Sequence, residues 1–157
     1  MMRRTVTILF YTLFFCCQGV LTAETTPEAA QPCAAQNRIY TSHAYRFRLR
    51  LPAGWKNCSV LNQSEHSENV SAMLLIRDVR WSTEVPREDI PIMIFTHRQW
   101  KLVQTGKVNV SAAPFPPEEL SHNRQWVFAL PARYNYDLLE GHEDVERAMS
   151  THSLHAF

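Results

Sequence analysis

The sequence predicts an α+β domain: a mainly antiparallel sheet of five or six strands with two main helices packed on it. Three observations lead there. Residues 45–51 alternate apolar and basic side chains, residues 73–76 and 90–95 are near-continuous apolar runs of strand length, and two later stretches carry helical spacing. The connections between strands are short, which favours antiparallel pairing.

Each element follows from its own residues. Tyr45, Phe47, Leu49 and Leu51 alternate with Arg46, Arg48 and Arg50, the pattern of a half-buried strand, and Pro52-Ala53-Gly54 turns the chain. Residues 58–61 make the next short strand. Residues 71–78, with Met73, Leu74, Leu75 and Ile76 in succession, predict a strand buried on both faces, and residues 90–95 a second. A long loop over residues 80–89 separates them. Thr96 and Gln99 have the spacing of a capping box, so a helix is expected over residues 97–104, with Trp100 and Val103 on one face and Gly106 as a left-handed stop. Residues 107–112 alternate again, with Val108 and Val110 inward. Pro116 and Pro117 suit the opening turn of a short helix through Leu120. Residues 125–130 predict a strand that Leu130-Pro131 ends, and residues 142–150 a last helix with Val145, Ala148 and Met149 on its apolar face.

The N-terminal segment reads as an export signal. Arg3 and Arg4 precede an apolar stretch over residues 6–15, and small, mildly polar residues lead from Gly19 to Ala23. The apolar part, about 10–13 residues, is shorter than the roughly 20 that span a bilayer. A signal peptide over residues 1–23, cleaved after Ala23, is the expectation, with an uncleaved anchor as the alternative. Residues 24–40 are expected to form a flexible N-terminal arm and residues 41–157 a single α+β domain.

Without residues 1–23 the chain has 134 residues, with 14 basic against 15 acidic side chains. A net charge near −1 argues against a nucleic-acid partner and against strong attraction to anionic membranes. No later stretch approaches a membrane span. Cys16 and Cys17 leave with the signal, so Cys33 and Cys58 remain. In an oxidising compartment their simplest state is one disulfide, worth about 3 kcal/mol for a loop of about 25 residues. Two free thiols or an intermolecular link are the alternatives. The location expected is secreted or periplasmic.

Candidate chemistry is sparse. Of seven histidines, His152 and His155 are three apart without an acidic partner, His97 adjoins a helix cap, and His122 and His142 stand alone in polar context. None has the paired spacing of a zinc site, and no metal is expected. There is no Gly-x-Ser-x-Gly elbow or triad motif. Glu88 with Asp89, and Glu118 with Glu119, read as exposed charges of a loop or first helical turn. Four glycines in the whole chain argue against a phosphate-cradling loop, and no cofactor is expected. Asn57, Asn62, Asn69 and Asn109 each begin an Asn-x-Ser sequence, a glycan acceptor in a eukaryotic secretory pathway and a polar turn otherwise.

Aromatic residues offer more. Trp55, Trp100 and Trp126 suit the core, whereas Trp81, Trp126, Tyr134 and Tyr136 fall at loops or strand ends where a ring can line a groove. The candidate binding residues are Arg133, Tyr134, Tyr136 and Asp137, an aromatic loop with one charge of each sign after Pro131.

Residues 47–55, Phe-Arg-Leu-Arg-Leu-Pro-Ala-Gly-Trp, resemble the opening strand and turn of the PsbP-like fold. The blocks at 87–100 and 126–137 resemble small exported bacterial proteins of unassigned function. The resemblance implies a sheet covered by helices and a role in binding or assembly. It carries no site residues over. The expected function is therefore an exported, non-enzymatic binding or assembly module for a protein or other extracytoplasmic ligand. The alternative is a small extracytoplasmic enzyme, such as a hydrolase, with its site near residues 131–137.

Overall fold

The computed structural model describes residues 30–33, 35, 37–63, 68–111, 113–132, 139–150 and 153–157. Their elements are β1 (Gln31–Cys33), β2 (Ile39–Ser42), β3 (Phe47–Arg50), β4 (Cys58–Asn62), β5 (Ala72–Asp78), β6 (Ile90–Thr96), α1 (His97–Gln104), β7 (Glu118–His122), β8 (Trp126–Leu130), α2 (His142–Ser150) and β9 (Leu154–Ala156). The class is α+β, as the sequence predicts. The architecture is richer in strands than expected: nine among the described residues, in two antiparallel sheets ordered β1-β4-β5-β6-β8-β7 and β2-β3-β9, with two short helices.

β6 lies inside the larger sheet because its apolar residues 90–95 bury both faces. Ile90, Ile92 and Ile94 face one core with Leu74 and Ile76 of β5, Phe47 and Leu49 of β3, and Val145 and Met149 of α2. Phe47 and Phe128 meet with ring centroids 5.0 Å apart, so the small sheet packs on the large one. Met93 and Phe95 face the opposite way, where Trp100 and Val103 of α1 cover them; the Phe95 and Trp100 rings lie 5.3 Å apart. The large sheet is thus the middle layer. β5 is buried on alternate residues rather than on both faces as expected.

α1 starts and stops where its sequence says. Thr96 accepts from the Gln99 backbone, Gln99 reaches back to the Thr96 backbone, and Thr96 itself is extended. At the other end Gly106 takes φ +67°, Lys107 N–H donates to Leu102 O at 2.9 Å, and Gly106 N–H to Val103 O at 3.0 Å. Those two bonds are a Schellman closure.

Two expectations are corrected. Residues 116–120 do not form a short helix: Glu118–His122 is β7, an edge strand paired with β8 through an irregularity between Glu119 and Ser121. Proline is tolerated at an edge-strand entrance, and pairing with β8 decides the outcome over local propensity. Residues 107–111 form no strand, although Val108 and Val110 pack against the α1 core as expected. Within the segment 24–40, residues 31–33 form β1 and residues 39–40 open β2.

Candidate functional site

Cys33 and Cys58 are register partners of β1 and β4, with Cα atoms 5.3 Å apart, and they form the disulfide. Their pairing fastens β1 to the edge of the large sheet. A disulfide is compatible with an extracytoplasmic location.

The candidate residues Arg133, Tyr134, Tyr136 and Asp137 lie outside the described residues, as does segment 1–23, expected to be a signal peptide. The residues flanking segment 133–138 are described, and Leu130 on its N-terminal side lines a cleft. Leu130 closes β8 before it, and Leu139 and Glu140 lead into α2 after it. Between α2 and the β7–β8 pair is a cleft of about 790 Å³. Leu120, Leu130 and Pro91 line it from the sheet, Val145 and Met149 from α2. Glu118 stands on the β7 wall, and Glu143, Glu146 and Arg147 on the helix wall. The floor is apolar and the charged residues are exposed.

α2 is held over the sheet by an ion network at its entry. Asp78, at the end of β5, is 1% exposed and accepts from Arg80 Nε at 3.0 and 3.1 Å and from the Arg80 backbone at 3.0 Å. Arg87 Nε lies 3.4 Å from Asp78 Oδ2, and its Nη1 pairs with Glu140. Burial pushes the Asp78 carboxyl up, but the hydrogen bonds from Arg80 and the charges of Arg80 and Arg87 outweigh it and hold its pKa below the usual value. Glu88 N–H donates to Glu140 O at 3.0 Å. Gly141 fits this junction because its φ is +86° and an added Cβ would come within 3.3 Å of the Arg87 guanidinium. The network joins residues 78–88 to the start of α2 and so sets one wall of the cleft.

The remaining sequence candidates fall into place as structural groups. Glu119, expected as an exposed charge of a loop or first helical turn, accepts from Trp100 Nε1 at 2.7 Å and meets His122 Nδ1 at 2.8 Å. The His97 and His122 rings come within 6.1 Å, so His122 is not isolated. Among the described residues no three His, Cys, Asp or Glu side chains group to hold a metal ion. Asp89 takes Arg77 in a bidentate pair at 2.7–3.1 Å, and the Arg77 guanidinium lies 3.9 Å from the Trp81 ring centre. Trp55 and Trp100 are core residues, and Trp126 is half-buried with its ring edge-on to Tyr45. Of the Asn-x-Ser asparagines, Asn57 and Asn109 are exposed and Asn62 and Asn69 half-buried. Among the described residues no helix is long and apolar enough to cross a membrane.

The cleft was not legible beforehand, since its walls come from Pro91, residues 118–130 and residues 143–150. The one usable signal is that residues 131–137 fall, in the sequence, between β8 and α2. Comparison with protein-family models, with characterised proteins and with solved structures finds no match for this chain.

Proposed function

We propose that this chain is an exported binding or assembly module that receives its partner in the cleft between α2 and the β7–β8 pair. The cleft itself carries the reading. It has the size that ligand sites favour, and its lining divides evenly between an apolar floor and a polar, mostly charged rim. Three carboxylates against one arginine favour a partner that presents an apolar side chain beside a lysine or arginine. The order of charge, apolar run and small residues over 1–23 supports export, and the likeness of residues 47–55 to the PsbP-like opening favours binding or assembly.

A second reading, a hydrolase, draws on Glu118 and Glu143 occupying facing walls of the same cleft. One experiment separates the two. Protein lacking residues 1–23 is used for affinity capture from an extract of its own compartment, and in parallel for turnover of chromogenic esters and glycosides. The binding reading expects a captured partner that Glu118→Lys with Glu146→Lys no longer retains. Turnover that collapses in Glu118→Gln would replace it with the hydrolase.

A further inference from the structure

Residues 29–64 contain no aspartate or glutamate but five arginine and lysine residues. Four of them, Arg38, Arg46, Arg48 and Arg50, belong to the three-stranded sheet and its turns, and all four are exposed. Alternation along β3 sends Phe47 and Leu49 into the core and Arg48 and Arg50 outward, about 7 Å apart. Thr41 and His155 flank Arg48 in register, and Ile39 flanks Arg50, so none of these described register partners brings a carboxylate to that face. Among the described residues none of the four guanidinium groups is ion-paired, whereas Arg77, Arg80, Arg87 and Arg147 each meet a carboxylate. A net charge near zero therefore conceals a one-sided distribution.

Two of these arginines sit against the backbone's preference. Arg38 and Arg46 have φ of +60° and +61°, a region that favours glycine. Arg38 also reaches the end of β3, because Leu51 N–H donates to Arg38 O at 2.8 Å. There Arg38, Arg50 and Arg147 line a recess of about 200 Å³ walled by Leu51 and Pro52, with Asp144 as the carboxylate among its described residues. Asp144 lies 3.5 Å from Arg147, which leaves the charges of Arg38 and Arg50 uncompensated.

We infer that this recess is a site for a phosphate group, with Arg38 and Arg50 as its ligands. Its volume is below the roughly 300–1,000 Å³ of small-molecule pockets, so it suits one anionic group rather than a whole cofactor. Two guanidinium forks offer more donors than the two oxygens of a carboxylate can use, and the oxygens of a phosphate match them better. Apolar walls strengthen such bonds. The phosphate has two possible sources, a phospholipid headgroup and a soluble phosphate.

The test uses protein lacking residues 1–23. Inorganic phosphate is titrated against chloride at equal ionic strength with thermal unfolding as the readout, and co-sedimentation is measured with phosphatidylglycerol and with phosphatidylcholine vesicles. Phosphate should raise Tm in a saturable way. Affinity should fall by about tenfold or more in Arg38→Gln with Arg50→Gln. It should be unchanged in Arg98→Gln with Arg124→Gln, which removes the same charge from exposed positions elsewhere. Arg38→Gly, at a position where the backbone favours glycine, should lose affinity without losing stability. Co-sedimentation with phosphatidylglycerol alone, competed by phosphate, assigns the headgroup; phosphate binding without co-sedimentation assigns a soluble phosphate. The site is overturned by a Tm that phosphate moves no more than chloride does, or by equal weakening in the two double variants.

Discussion

Asp78 and Arg87 meet at 3.4 Å with side chains only 1% and 10% exposed, and through Arg87 the pair reaches Glu140 at the entry of α2. One wall of the cleft between α2 and the β7–β8 pair therefore hangs on a buried ion pair between residues nine apart in the chain. Asp78→Asn should destabilise the protein by about 3 kcal/mol, because it removes the buried carboxylate beside Arg87 and leaves that guanidinium only the exposed Glu140, while Arg80 can turn to solvent. Denaturant unfolding measures this, and a change within about 0.5 kcal/mol would place the junction's strength elsewhere.

The same carboxyl sets an acid limit. Its folded pKa is depressed below an unfolded value of about 3.9. Its stabilisation is thus fully present above about pH 4 and is lost as pH falls through the folded value. Stability measured between neutral and strongly acid pH should decline in that window. Asp78→Asn should remove part of that decline. An identical acid limb in the two proteins would contradict the assignment.

Joining Cys33 to Cys58 closes a segment with a sequence separation of 25. Replacing both with alanine should cost about 3 kcal/mol and free β1 from β4. Hydrogen exchange should then rise at residues 58–62. Two free thiols in protein purified under oxidising conditions would show that the pairing does not form.

Gly106→Ala isolates a purely conformational cost. Nothing lies within 4 Å of an added Cβ, so only the positive φ opposes the change, at about 1 kcal/mol. Thr96→Ala should cost a similar amount, about 1 kcal/mol, through loss of the cap. A stabilised Gly106→Ala protein would contradict the left-handed stop.

What the sequence made legible was local. Thr96, Gln99 and Gly106 delimit α1 through bonds spanning three to five residues, and the alternation from Tyr45 to Leu51 describes β3 because one face of that strand is buried. β1 and β9 have three residues each, too few to show a period, and their places depend on partners 25 residues or more away. β7 was misread because Pro116 and Pro117 open helices as readily as edge strands, and only β8 distinguishes the two. The cleft is less legible still. Pro91, Leu120, Leu130 and Val145 become neighbours through the order β6-β8-β7 and through the Arg87–Glu140 junction, neither of which leaves a periodic trace.

The central claim is that the partner sits in the cleft between α2 and the β7–β8 pair. It is tested most directly by a photo-crosslinking amino acid placed at Leu120, inside the cleft, and separately at Phe115, which is 50% exposed and borders a different recess. After irradiation in the native compartment, the account predicts a discrete covalent adduct from position 120 and none from position 115. No adduct at position 120, or the same adduct from both positions, would contradict it.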